Sequence, residues 1–291
     1  MPSISRPNRI SVLISNYNNG RWLRSCVDSV LSQTRMADEI IVYDDGSSDG
    51  SLEILRSYGS KIRLIEGRHT NGRSSVASQG NAVFEAFKIS TGDQIHLLDG
   101  DDLYEPKRLE LFEEAWTPDV VMIQAPMRII DEEGATIREN YESSKQRKNY
   151  RRDTYLLNDV HFYYPCSGLA FSREYIAKIL PFDFTSDPDV STDARLSVIA
   201  PLFGRVLALE ETLSCWRQRP YSISRTTNRR DPLAGTLRRH YYFNNMARLH
   251  GFRTIILSLN FRFWLQKARR FFPAWISAPF ARMPEGRPHS G

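Results

Sequence analysis

Cysteine is scarce in this chain, with only Cys26, Cys166 and Cys215 among 291 residues. An odd number without metal-ligand spacing excludes a disulfide framework and a zinc module, and it fits a reducing compartment. Long apolar runs are missing as well. The longest candidate, Ile255 to Leu265, is broken by Asn260 and Arg262 and is too short to span a bilayer. The start Met1-Pro-Ser-Ile-Ser-Arg-Pro-Asn-Arg9 is polar and lacks the apolar centre of a signal peptide. There is no internal repeat or low-complexity tract. The first apolar run leads into Asn16-Tyr-Asn-Asn-Gly20 rather than a Gly-X-Gly-X-X-Gly turn, which sets aside a dinucleotide oxidoreductase. A Gly-rich triphosphate loop, as a nucleotidyltransferase would need, is also missing there.

What the chain does have is acid at the ends of short apolar runs. Ile40-Ile-Val-Tyr runs into Asp44-Asp-Gly-Ser-Ser-Asp49, and Ile95-His-Leu-Leu runs into Asp99-Gly-Asp-Asp102. Runs this short, the first of them β-branched or aromatic throughout, read as strands buried on both faces, as a parallel sheet requires. In open α/β sheets the ligand crevice lies beyond the carboxyl ends of the strands, where all these acids would gather. Carboxylates so crowded repel one another and call for a cation or for donors from a ligand.

Between these runs, apolar residues recur at helical spacing. Trp22, Leu23, Cys26, Val27, Val30 and Leu31 predict one apolar face on a helix over Gly20 to Thr34. Strands are expected at Ile10–Ser15, Glu39–Tyr43 and Ile62–Ile65 and in the run that ends at Asp99. Helices are expected over Ser51–Tyr58, Ser74–Ile89 and Lys107–Ala115, with Pro106 opening the last. Strands and helices alternating through short connections imply right-handed βαβ units and a mostly parallel, Rossmann-like sheet with helices on both faces.

The segments Val12-Leu-Ile-Ser-Asn-Tyr-Asn18, Asp44-Asp-Gly-Ser-Ser-Asp49 and the Asp-X-Asp of Asp99 and Asp101 stand in the order and spacing of the family-2 glycosyltransferases, which the chain resembles from about residue 8 to 225. The resemblance implies the GT-A fold and a nucleotide-sugar donor, most often a UDP-sugar. It places Ser15, Tyr17 and Asp45 against the nucleotide. An Asp can accept from a uracil or guanine imide N–H, and a tyrosine ring can pack on the base. It makes Asp99 and Asp101 the metal and ribose positions, Asp101 being the direct ligand of Mg²⁺ or Mn²⁺, which would stabilise the departing diphosphate. Arg73 is expected near the diphosphate or sugar. Asp44 and Asp102 are open between site roles and bracing of their own turns.

For an inverting transfer the acceptor hydroxyl needs a base, and the resemblance points to Asp193 in Ser191-Thr-Asp-Ala-Arg-Leu196. The family usually carries two adjacent acids there, and this chain has Thr192 in place of the first. Pro165-Cys-Ser-Gly-Leu-Ala-Phe-Ser172 resembles the acceptor-side loop, with Ser167 and Gly168 as contacts. In Leu213-Ser-Cys-Trp-Arg-Gln-Arg219 an arginine stands where the family often has a histidine that reaches the metal or diphosphate. Arg219 could grip a diphosphate through its fork of donors, changing the metal dependence, or it could mark a catalytically silent binding protein of the same fold. The Gln-X-X-Arg-Trp signature of processive synthases is missing, which favours transfer of a single sugar to a glycan or lipid-linked acceptor.

Charge divides the chain into a catalytic domain over 1–224 and an extension over 225–291. The extension holds 13 Lys or Arg against Asp231 and Glu285 alone, leaving 26 basic and 32 acidic residues in the remainder. A helix is expected around Arg238–Phe243, ending near His250-Gly251. Beyond it, aromatics beside Lys267, Arg269 and Arg270 suit an anionic membrane surface, so a cytoplasmic enzyme held at the inner face of the membrane is expected. The competing reading packs the apolar face of this extension on the catalytic domain. No nucleic-acid module is visible.

Overall fold

The structure is a computed structural model and describes residues 8–70, 72–141, 150, 163–185, 188, 190–219 and 232–252. The side chains of 140, 141 and 232–235 are outside that description, as is the apolar and basic run expected to meet a membrane.

The amino-terminal half follows the alternation of its sequence. Strand β1 (Ile10–Asn16) leads to helix α1 (Gly20–Leu31), then to β2 (Glu39–Asp44), α2 (Ser51–Arg56), β3 (Arg63–Glu66), α3 (Ser75–Ile89) and β4 (Gln94–Asp99). The hydroxyl of Ser74 caps α3 by accepting from Ala77 N at 3.2 Å. A short β5 (Leu103–Tyr104) and α4 (Arg108–Ala115) follow, the helix starting two residues past Pro106. The second half adds β6 (Val120–Gln124), β7 (Met127–Ile130), β8 (Thr136–Tyr141), β9 (Leu169–Ser172), α5 (Arg173–Ile179), α6 (Thr192–Ser197), α7 (Ala200–Phe203), β10 (Arg205–Ala208), β11 (Ser214–Arg217) and α8 (Pro232–Leu249).

Seven strands form the main sheet in the order β10-β6-β9-β4-β1-β2-β3, and β5-β11-β7-β8 form a smaller one. All neighbours in the main sheet run parallel except β9, which lies antiparallel between β4 and β6. The chain first builds outward from β1 to β3 and then returns to lay β4 on the other side of β1. Beyond β1 and β4 the sheet therefore has a topological switch point, where open α/β sheets form their ligand crevice.

Alternate residues of the central strands fill two cores, because successive strand side chains point to opposite faces. Val12 and Ile14 of β1 pack with Leu23, Cys26, Val27 and Val30 of α1. Leu13, with Ile41, Ile95 and Leu97, faces the other core, which takes in Val83 and Ala86 of α3 and Tyr175 and Ile176 of α5. Tyr242, Phe243 and Ala247 of α8 join that second core, and Arg239 Nε donates to the Tyr163 hydroxyl at 2.7 Å. The expected helix near Arg238 is thus present, and this part of the basic extension packs on the body of the protein.

Two outcomes follow from the packing. Phe243→Ala removes a fully buried ring and lowers the unfolding free energy by about 3–5 kcal/mol, measurable by urea denaturation. His96 in β4 is fully enclosed, its Nε2 3.2 Å from Gln94 Oε1 and its ring against Phe112. Burial, then the Arg108 and Arg35 charges, hold its pKa well below 6.5. The unfolded chain therefore binds the extra proton below that value, and stability is lost as the pH is lowered, by up to about 1.4 kcal/mol per unit. His96→Gln flattens this dependence between pH 6.5 and 5, as denaturation midpoints across that range will record.

Candidate active site

The register of three strands brings the acidic segments together. Asn16 stands beside Asp44 across β1 and β2, and Ser15 stands beside Asp99 across β1 and β4. With strands roughly 4.8 Å apart, the two acidic ends lie about 10 Å from one another on either side of β1. That separation is crossed by side chains. Asn16 Nδ2 donates to Asp44 Oδ2 at 2.7 Å, and Ser15 Oγ donates to Asp99 Oδ1 at 2.9 Å.

At the β2 end the two aspartates differ in role. Asp44 is fully buried and braces its turn, accepting from Ser47 N at 2.8 Å and Ser47 Oγ at 2.7 Å. Asp45 is buried too, but its Oδ1 has no partner among the described residues, while Oδ2 meets His69 Nδ1 at 2.8 Å. The His69 ring stacks on the half-exposed Tyr17, centroids 4.3 Å apart and planes 13° from parallel. Gly46 makes this possible. Its φ of +74° favours glycine, and a Cβ there would stand 2.8 Å from His69 N. Tyr17 and Asp45 are thus brought to one place, and Asp45 offers an unsatisfied acceptor. Ser15 stands apart from them, with its hydroxyl directed to Asp99.

At the β4 end, Asp99 Oδ1 also accepts from Gln79 Nε2 of α3 at 2.7 Å. Burial, then the Asp101 charge, pushes Asp99 up to about 6, and Asp193 adds to the rise from α6. Burial raises Asp101 as well, opposed chiefly by the Arg219 charge. Burial followed by the charges of Asp101 and Asp99 lifts Asp102 well above the usual carboxylate range. Asp102 is a brace, accepting from Ser167 Oγ at 2.6 Å and from Arg217 N at 2.8 Å.

Two arginines answer this charge, Arg217 from the last position of β11 and Arg219 from the chain just past it. Arg217 Nε donates to Asp101 O at 2.8 Å, and its Nη1 donates to the carbonyls of Asp131 and Glu132. Arg219, two residues on, pairs with Asp101 Oδ2 at 2.7 Å and donates to Asn19 Oδ1 at 3.1 Å. Both guanidinium groups lie over the Trp22 ring, at 5.8 and 5.0 Å from its centroid. Arg219 therefore does reach the Asp-X-Asp loop from the position where the resemblance sets a histidine.

The acceptor-side candidates are placed differently. Asp193 opens α6 half-exposed, and its Oδ1 accepts from Ala194 N at 2.8 Å. Its charge is felt at both Asp99 and Cys166, which sets it at the edge of the same acidic group. Ser167 is fully buried, its hydroxyl shared between Asp102 and Asp99 N. Gly168 does allow a close approach, but by the protein itself, with Tyr164 Cβ, Ala125 O and Met127 Sδ within 3.1 Å of where a Cβ would stand. Arg73 is exposed just before α3, its amide donating to Thr70 O at 3.1 Å, and among the described residues no hydrogen bond ties it to the acidic loop.

Among the described residues no group of three or more His, Cys, Asp or Glu side chains is set to hold a metal by itself. Asp99 Oδ2 takes no hydrogen bond there, so Asp99 and Asp101 fit a divalent ion that draws its other ligands from a bound diphosphate and water. His69, Gln79, Asn19, Trp22 and Arg217 were not among the residues expected from the sequence. Arg217 carried a signal as a charged residue within the run Leu213–Arg217 that leads to Arg219.

Comparison with known proteins agrees with this geometry. An uncharacterised glycosyltransferase of Nostoc sp. is 30% identical over 215 residues, covering 72% of this chain and 64% of that protein. The hyaluronan synthase of Pasteurella multocida is 32% identical over 141 residues, 47% of this chain but only 14% of the synthase. Staphylococcus aureus TarS, solved with UDP-GlcNAc, superposes with a TM-score of 0.55 at 17% identity, covering 83% of this chain and 65% of the other. A mannosyltransferase of Pyrobaculum calidifontis, solved with GDP-Man and Mn²⁺, gives 0.54 at 16% identity, covering 95% and 79%. These two likenesses show a shared fold, the GT-A arrangement. The model of glycosyl transferase family 2 matches residues 11–180, and with the strand-end aspartates described above it makes the chain a member of that family.

Proposed function

We propose that the chain is an inverting glycosyltransferase that moves one sugar from a nucleoside-diphosphate donor, a UDP-sugar in the first instance, to a hydroxyl of a glycan or lipid-linked acceptor. The observation that carries this reading is the convergence of Asp45, Asp99 and Asp101 around the end of β1, at a switch point of the sheet. Relatives of the same fold solved with UDP-GlcNAc, or with GDP-Man and Mn²⁺, support it.

In this reading the unsatisfied Oδ1 of Asp45 accepts the imide N–H of uracil or guanine, and Tyr17 and His69 provide flat faces for the base. Asp99 and Asp101 would hold Mg²⁺ or Mn²⁺, which when bound neutralises charge developing on the diphosphate. Desolvation of these acids is the physical reason for a cation, since each is held above its normal pKa and gains from a positive partner. Asp193 takes the acceptor proton. As the acceptor oxygen bonds to the anomeric carbon from one face, the bond to the diphosphate oxygen breaks on the other, and the electron pair leaves with the diphosphate.

A second reading, a silent nucleotide-sugar-binding protein, is favoured by the Arg219–Asp101 ion pair and by the single acid at Thr192-Asp193. Assay of sugar transfer and donor hydrolysis across a nucleotide-sugar panel separates the two.

For the basic extension we propose residence at an anionic membrane surface, cytoplasmic side, on the basis of its charge. Among the described residues no helix is long and apolar enough to cross a membrane.

Three measurements check these statements. In a thermal-shift screen of UDP-, GDP-, CDP- and dTDP-sugars, imide-bearing bases stabilise the protein more than cytosine, and Mn²⁺ enlarges the shift. Asp193→Asn lowers kcat by about 10²- to 10⁴-fold with donor affinity unchanged; near-normal turnover would remove Asp193 from the mechanism. Full-length protein sediments with phosphatidylserine vesicles at low salt, and a chain ending at residue 252 remains in the supernatant.

A further inference from the structure

Arg219 occupies one oxygen of the carboxylate that a divalent ion would need. Its Nη2 lies 2.7 Å from Asp101 Oδ2, and Asp101 is buried. The other nearby cation, Arg217, is directed at the Asp101 carbonyl and the hairpin carbonyls rather than at this carboxylate. Among the described residues the direct ion pair to the Asp101 side chain is therefore that of Arg219, with the Arg217 charge a smaller influence. A divalent ion binds carboxylate oxygen at about 2.0–2.2 Å, inside the volume the guanidinium already fills, and the two cations repel.

The rest of the Arg219 anchorage is light. It consists of one neutral acceptor, Asn19 Oδ1 at 3.1 Å, and the face of Trp22. No second carboxylate holds it, and its Nε is buried without a hydrogen-bond partner among the described residues. A guanidinium bound this way has donor capacity to spare and one strong tie to exchange. A diphosphate offers several anionic oxygens matched to its planar fork.

We infer that Arg219 is a tethered counter-cation that blocks Asp101 from divalent metal until a nucleoside diphosphate draws it away, so that metal and donor bind with positive coupling. Resting on the donor reading above, this makes Arg219 a positioning residue whose movement from carboxylate to diphosphate exchanges one ion pair for another. Because coupling is reciprocal, the donor gains from metal by the same factor that metal gains from donor.

The test is Mn²⁺ binding by isothermal titration to the full chain, alone and with saturating UDP, for the native protein and for Arg219→Gln and Arg219→Lys. The native chain binds Mn²⁺ weakly alone, and UDP tightens it roughly ten-fold or more. Arg219→Gln binds Mn²⁺ without nucleotide roughly ten-fold tighter than the native chain, and most of the coupling to UDP disappears. Arg219→Lys keeps the counter-charge and stays close to native weakness, whereas a merely structural role would make Lys behave like Gln. Adding Asp101→Asn to Arg219→Gln abolishes the gain. Nucleotide-free Mn²⁺ affinity that is unchanged or lower in Arg219→Gln overturns the inference, as does the absence of Mn²⁺ binding in every variant. Failure of UDP and every other nucleotide to bind the native chain would instead overturn the donor reading, since the nucleotide-free comparison reads Arg219 alone.

Discussion

Everything about this site depends on keeping negative charge concentrated where water is largely shut out. Asp44, Asp45, Asp101 and Asp102 are buried, and Asp99 borders them. Left alone, such a group would protonate or push the strands apart. The fold divides the problem. Asp44 and Asp102 are satisfied by hydroxyls and backbone amides and serve as structure. Among the described residues Asp45 and Asp99 each keep an oxygen without a partner, and Asp101 is held in an ion pair with Arg219. Each of the two loops thus carries at least one bracing acid beside acids that are not used as braces.

Arg217 shows how the bracing extends. A single guanidinium ties the acidic loop after β4 to the turn between β7 and β8, and that turn is tied in turn to α1 through Trp22 Nε1 and Glu132 O at 2.8 Å. The smaller sheet is thus fastened to the acidic edge of the larger one by buried and partly buried polar contacts. The Arg217 guanidinium links the carbonyls of Asp131 and Glu132 directly to that of Asp101.

Much of the donor half was legible because each element announces itself locally. Ile40 to Tyr43 is too short and too β-branched for a helix, Ile95 to Leu98 is a short apolar run that ends in acids, α1 shows its apolar stripe, and the acids mark the carboxyl ends. The acceptor half was less legible. Strand β9 is only Leu169–Ser172, and its antiparallel place between β4 and β6 is decided by partners far away in sequence. The hydroxyl of Ser15 turns toward Asp99 because of strand register, which composition does not reveal. His69 follows β3 in a stretch of no regular pattern, and only the close passage beside Gly46 brings it to Asp45. Gly168 was recognisable as a point of close approach, though not which atoms approach it.

The central antiparallel strand also bears on how the protein is made. During synthesis β1 to β4 can assemble from neighbouring βαβ units as soon as residue 99 has emerged, yet the outer side of β4 has no partner until residues 169–172 arrive. A nascent chain at that stage carries an open row of amide and carbonyl groups along an apolar strand, a template for wrong pairing. The ribosome-bound intermediate, more than the finished enzyme, is where this fold is most exposed to aggregation.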